Sequence, residues 1–240
     1  SEMCIRDRYM EALMSELVLE VRKAISEISH DDMNDLIVDD TDVIIRQCLE
    51  SAANMLLVEA PADFLIPQHV KASVSGVEQD YTSIQYKYTD GHGYLIVPED
   101  FLRLYELRLR SWQQSLYELL PIQSQDAKMQ ATRWGRGTPQ KPRGFLTVRS
   151  GGNRVLMYFT AGRYSSHVSG TVDNVYDHLV EVFTYIPKAK VEAVGDDSRL
   201  TVALLDICRQ NVIYRAASIY LGSNQQADLA ERFSKLSNFS

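Results

Sequence analysis

Two short runs, Tyr94-Leu95-Ile96-Val97-Pro98 and Tyr105-Glu106-Leu107-Arg108-Leu109-Arg110, decide the fold, because they break the helical period on either side of them. The second run alternates with a period of two. It predicts a half-buried strand with Leu107 and Leu109 inward and Glu106, Arg108 and Arg110 outward. Just upstream, Tyr81-Thr82-Ser83-Ile84-Gln85-Tyr86-Lys87-Tyr88 is rich in aromatic and β-branched residues, and Asp90-Gly91-His92-Gly93 turns it into the strand that Pro98 closes. Downstream, 145–149 and 155–160 flank Ser150-Gly151-Gly152-Asn153, a hairpin signal, and 180–186 alternates again before Pro187. Residues 70–187 therefore read as mainly sheet. Two long loops interrupt them, 124–144 and 161–178, of the kind that carries interactions.

On both sides the period is helical. Met14, Val18, Val21, Ile25 and Ile28 share one face of a helix predicted over 9–29. A second helix is expected to start at Thr41 or Asp42, either of which can accept a bond from the first-turn amides, and to end before Pro61. Its stripe of Ile45, Cys48, Ala52 and Met55, widened by Ile44, Leu49 and Leu56, predicts burial on more than one side. Near the other end, Asp196-Asp197-Ser198 reads as a cap. Val202, Leu205, Cys208, Val212, Ala216 and Ile219 follow as a helical stripe that Gly222 stops. Ser223 with Gln226 reads as a capping box for a last helix facing inward with Leu229, Phe233 and Leu236. The expected fold class is α+β: a helical bundle from both chain ends (9–69 and 188–240) with an antiparallel β-rich region (70–187) inserted between them. Residues 1–8 are set aside as an adapter-derived or disordered tail; they carry no apolar segment of the signal-peptide type.

The 240 residues hold 45% hydrophobic and 24% charged side chains, which supports a packed core. A net charge of −7 argues against a general nucleic-acid binder, since phosphate neutralisation needs excess Lys and Arg. Three widely spaced cysteines, Cys4, Cys48 and Cys208, form neither a disulfide framework nor a zinc motif. No apolar run approaches the roughly 20 residues that span a bilayer, so no membrane role is expected. The five histidines show no HxxH, HxH or HExxH pairing. Gly135-Arg136-Gly137-Thr138 lacks the Lys-Ser/Thr ending of a phosphate loop and reads as a turn. The acidic runs lack calcium-loop spacing. No catalytic residue, cofactor or metal site is expected.

One feature stands out. Residues 127–171 contain no Asp or Glu, yet hold Lys128, Arg133, Arg136, Lys141, Arg143, Arg149, Arg154 and Arg163 among Trp134, Phe145, Tyr158, Phe159 and Tyr164. The segment 31–42 is acidic by contrast. Such asymmetry fits complementary faces that dock subunit to subunit, a nucleic-acid-binding module that uses the basic-aromatic stretch 127–171, or a solvated basic loop. Between docking and nucleic-acid contact, the acidic balance of the whole chain favours docking, and the solvated loop stays open beside them.

Segment order and short phrases resemble a known family. The central stretch Tyr94-Leu95-Ile96-Val97-Pro98-Glu99-Asp100-Phe101-Leu102-Arg103-Leu104 looks like the strand, Pro, Asp-Phe-Leu-Arg-Leu signature of phage neck proteins. Trp112, the Gln-bearing and Gly-Pro-rich segment 130–142, the helix that carries Val43-Ile44-Ile45 towards Ala60-Pro61, and the helix over 203–220 fit the same order. The chain resembles head-to-tail connector (adaptor, or neck ring) proteins of tailed phages, particularly the crAss-like group, over residues 30–236. The resemblance implies a non-enzymatic virion protein made in the bacterial host cytoplasm. It implies a homo-oligomeric ring, commonly of twelve copies, that bridges the portal to other neck or tail proteins while genomic DNA passes through without sequence-specific binding. Channel walls in such rings tend to be acidic, so the basic stretch departs from the pattern. Arg133, Trp134, Arg136, Lys141, Arg143, Arg163 and Tyr164 are therefore expected at an interface with a neighbour.

Overall fold

The computed structural model of the protein describes residues 9–28, 39–70, 86–87, 92–109, 112–130, 132, 134–148, 152, 154–159 and 180–239. Of the expected strand over 81–88 only 86–87 are described, the loop 161–178 lies outside the described residues, and of the expected turn over 90–93 the described residues His92 and Gly93 instead open a strand. In chain order the elements are β1 (Tyr9–Leu13), α1 (Met14–Ile28), α2 (Asp39–Glu59), β2 (Gln68–Val70), β3 (Tyr86–Lys87), β4 (His92–Ile96), β5 (Phe101–Leu109), α3 (Gln125–Met129), β6 (Arg143–Val148), β7 (Arg154–Phe159), β8 (Val180–Pro187), β9 (Lys190–Val194), β10 (Asp197–Leu205), α4 (Arg209–Ser223) and α5 (Ala227–Leu236). Short 3-10 turns cover Ala62–Phe64 and Asp206–Cys208. The class is α+β, with three small sheets among the described residues. The chain divides into two units, one formed by Ser1–Ile66 with Ile186–Ser240 and the other by Pro67–Tyr185.

In the 67–185 unit, a strict period-two burial appears at the end of β5 and not along β6 or β7. In β5, Leu107 and Leu109 are buried and Arg108 is exposed, and the strand begins earlier than Tyr105, at Phe101. The three-stranded sheet runs β2-β8-β5, with Val70 opposite Phe183. The four-stranded sheet runs β3-β4-β7-β6, with Leu156 flanked by Leu95 and Leu146. The hairpin expected around Gly152 is present as the β6–β7 pair, with Gly152 at φ +84° where a Cβ would be strained. Phe101, Leu107, Trp112, Leu156, Tyr158 and Phe183 belong to one buried cluster. A Cβ on Gly93 would clash with the Tyr158 ring, so that ring can lie over β4 only because the position is glycine.

In the other unit, α4 packs against α1, α2 and α5, while α1 and α2 also touch β10. Three expectations are corrected here. Residues 9–13 are a strand, not the first turns of a helix. Met10 and Ala12 are buried and Tyr9 and Glu11 exposed, and β1 pairs with β10 (Glu11 opposite Thr201). Residues 190–205 are a hairpin, not the start of the last helical part. Gly195 at φ +62° makes the turn, and Leu200, Val202 and Leu204 alternate into the core. Asp197 thus caps no helix that follows it. Its Oδ2 instead accepts from the Ser15 amide in the first turn of α1, 3.3 Å away. The bond from the Ser15 hydroxyl, then the amides of Ser198 and Ser15 and the Arg46 charge, hold the Asp197 carboxyl below its ordinary value of 3.8. That contribution is present above the ordinary value and lost as pH falls through the lowered one.

The third correction concerns α2. It starts at Asp39, and Asp42 pairs with Arg22 of α1. Only one side is buried, with Ile45, Cys48, Leu49, Ala52, Ala53, Leu56 and Leu57 inward. Val43, Ile44, Met55 and Val58 are exposed because α1, α4 and β10 all lie against the other face.

The break between α4 and α5 also differs. Ser223 donates to the Tyr220 carbonyl instead of capping α5, whose N-cap is Gln226 without a side-chain bond. The left-handed residue is Gln225 (φ +62°), not Gly222. The Gln226 amide reaches back to the Leu221 carbonyl at 3.0 Å, which closes a Schellman turn. Of the last helix's expected inward face, Phe233 is buried, Leu229 partly so, and Leu236 exposed. Replacing Gln225 with glycine removes the strain of a side chain at positive φ. Gln225→Gly is expected to stabilise the protein by about 0.5–1 kcal/mol, read as a rise in the urea midpoint with unchanged slope.

Candidate functional site

The loop 124–144 is built from its ends inward. Ser124 Oγ accepts from the Ala127 amide at 3.1 Å and so starts α3, with Asp126 in the first turn and Lys128 in the last, the favourable order for the helix dipole. Sequence reading missed this helix, although Ser124 with Asp126 two residues on, a cap residue ahead of a first-turn acid, was its signal. Gln130 follows, only 3% exposed. Its Nε2 donates to the carbonyls of Asp126 (3.0 Å) and Gly135 (2.8 Å), and its Oε1 accepts from the Gly137 amide (2.8 Å). Arg136 Nε donates back to the Gln130 carbonyl at 3.1 Å. One side chain thus staples the turn 130–137.

The two glycines of that turn serve packing. A Cβ on Gly135 would stand 2.6 Å from the Met129 carbonyl oxygen, and one on Gly137 would stand 2.7 Å from the Arg143 nitrogen. Thr138 and Lys141 exchange backbone bonds across Pro139-Gln140. The Gln113 amide donates to the Pro139 carbonyl at 2.9 Å, and the Leu120 amide to Gly144 at 2.8 Å, so the loop is tied to the residues that follow β5. Gln130→Leu keeps the volume but leaves the buried Gly137 amide unpaired. It is expected to cost about 2–3 kcal/mol and to expose 130–137 to proteolysis, checked by limited trypsin digestion beside a denaturant melt.

On this staple stands Trp134, 95% exposed. Met129, Ile122 and Tyr117, all between 117 and 134, are exposed as well. Of the expected interface residues, the structure brings Trp134, Arg136, Lys141 and Arg143 into one stapled loop, Arg143 opening β6 opposite Phe159. Arg133, Arg163 and Tyr164 lie outside the described residues. Lys128, Lys141 and Arg143 make no ion pair among the described residues. Arg154 is spent inside the unit: its Nη1 donates to the Phe101 carbonyl at 2.9 Å and its guanidinium lies 5.7 Å from the Phe101 ring centre. The signature stretch is likewise used for packing. Asp100 accepts from the Tyr185 hydroxyl at 2.9 Å, and Phe101 and Leu104 are buried.

The remaining titratable chemistry is buried or engaged. Cys48 and Cys208 are buried free thiols, and burial pushes both up in pKa, Cys208 to about 11, so each is a neutral thiol near pH 7. His69 Nδ1 lies 3.1 Å from Thr184 Oγ1. Among the described residues no cluster of three His, Cys, Asp or Glu side chains stands close enough to hold a metal ion, and no helix is long and apolar enough to cross a membrane. The arrangement can therefore present an aromatic anchor on a fixed loop that also carries Arg136, Lys141 and Arg143. Against models of known families and against curated proteins, the chain finds no match.

Proposed function

We propose that this chain is a structural subunit of the head-to-tail connector ring of a tailed phage, part of the virion neck, joining the portal to other neck or tail proteins around the passage for genomic DNA. The observation that carries this is Trp134, almost wholly in water on a loop that a buried glutamine holds in one shape. An aromatic anchor presented this way fits a partner surface, since Trp and Arg dominate interface energetics and prior ordering lowers the cost of binding. In this proposal the helices from both chain ends build the ring, probed below by mass, and the loop 124–144 reaches the neighbour with Trp134, Arg136, Lys141 and Arg143. The resemblance of 94–104 to the neck-protein signature supports the same assignment.

The test is the mass of the purified protein in solution, alone and mixed with the portal protein of the same phage, by mass photometry. A discrete ring-sized species, or a shift only on adding portal, supports the proposal. A monomer indifferent to portal overturns it. The exposed Trp134, in a segment that also carries Lys128 and Lys141, also fits stacking on single-stranded nucleic acid. That alternative requires filter retention of DNA that falls steeply between low and physiological salt.

A further inference from the structure

Strand β9 is an edge of the sheet β1-β10-β9, and all five of its residues are exposed. Its inward-facing position Val191 continues the row Ala12–Leu200, yet Val191 is 43% exposed where Leu200 is fully buried. The covered face of the sheet runs out one strand too early.

The hairpin geometry says which backbone groups point to the open edge. Gly195 at φ +62° followed by Asp196 forms a two-residue turn closed by the pair Val194–Asp197. Hydrogen-bonded pairs then alternate back along the strand. Val194, Glu192 and Lys190 bond to β10, and Val191 and Ala193 turn their N–H and C=O outward. Ala189 fits this phase, for its N–H is taken by Asn54 Oδ1 at 3.0 Å and not by β10.

A regular edge with open groups is a template for another strand. Its own sequence is complementary to it. If a second β9 runs antiparallel with Val191 opposite Val191, both outward-directed valines exchange their two bonds. Lys190 of each copy then stands opposite Glu192 of the other, on the outer face, in the closely spaced kind of pair. Bulges, prolines, charges and short length all protect an edge; this short strand has neither bulge against β10 nor proline, and its charges, opposite in sign, sit at the spacing that matches itself.

We infer that two copies of this chain join through β9, antiparallel about a two-fold axis at Val191, so that one sheet runs across both. The contact does not depend on the connector proposal. Within a ring it would tie two rings face to face.

The experiment is sedimentation velocity over a concentration series for the wild type, Lys190→Glu, and Lys190→Glu/Glu192→Lys. Both positions are exposed, so the variants should fold, as circular dichroism melts will verify. The wild type is expected to reach a two-fold assembly. Lys190→Glu sets like charges opposite each other twice and weakens it about tenfold, and the double variant restores it. If rings form by another surface, the same loss reads as a halving of the ring-pair mass, so a failed contact and a failed ring remain distinguishable. A wild type without two-fold association at any concentration, or an association that Lys190→Glu leaves unchanged, or a double variant that stays weak, overturns the inference.

Discussion

Phe101→Ala is expected to lower the stability of the 67–185 unit by about 3–5 kcal/mol. Phe101 is 1% exposed and stacks with Tyr185 at 5.7 Å and Phe183 at 6.3 Å between ring centres. Truncation removes the burial energy of an aromatic side chain and opens a cavity that two rigid rings cannot fill by rotamer change. It also takes away the ring under the Arg154 guanidinium, while the bond from Arg154 to the backbone carbonyl of residue 101 survives. Phe101→Leu keeps most of the volume and is expected to cost less than half as much. A guanidinium melt followed by near-ultraviolet circular dichroism, which reports the packed aromatics, separates the two variants. Equal losses would mean that the stack contributes no more than its bulk.

Trp134→Ala should behave in the opposite way. At 95% exposure the side chain contributes almost nothing within the monomer, so stability should stay within about 0.5 kcal/mol of wild type. Under the connector proposal the same change removes an interface anchor. It should then cost about 2–4 kcal/mol of assembly energy, a loss of about 30-fold to 1,000-fold in affinity for the neighbour. Light scattering across a dilution series measures this directly. A ring that dilutes out at the wild-type concentration would remove Trp134 from the interface. Gln130→Leu gives a useful contrast, since it keeps the tryptophan and loosens only its support.

The contrast between these two aromatics shows what was legible in the sequence. Period placed β5, and the turn signal Ser150-Gly151-Gly152-Asn153 placed β6 and β7 on either side of it. The failures were short or doubly consistent segments. Met10, Ala12 and Leu13 suit a strand and equally suit the first turn of a helix whose stripe begins at Met14; only pairing with β10, far along the chain, decides between them. Leu200, Val202 and Leu204 alternate, but Val202 and Leu205 also stand three apart, and Asp197 beside Ser198 looked like a local cap. The cap was real in chemistry and wrong in address, since its acceptor serves Ser15. Within the candidate site, residue types were readable and presentation was not. Nothing in the spacing of Gln130, Gly135 and Gly137 reveals a buried amide satisfied on both ends. Nor could composition tell Arg154, held over a ring, from Lys141 at the surface.

The division of the chain has a consequence for the order of folding. Glu11 meets Thr201, and α2 meets α4, across the whole of the intervening 67–185 unit. If that unit were still open coil, joining these partners would mean closing a very long loop before any contact rewarded it, and such non-local pairings are the slow step of folding. Collapse of the intervening unit first shortens the effective loop and brings its two exits into range. During synthesis the inserted unit is also complete before β10 and α4 leave the ribosome, whereas α1 and α2 must wait with their apolar faces uncovered. Substitutions that slow the inserted unit should therefore reduce the yield of correctly joined helices even where no helix residue has changed.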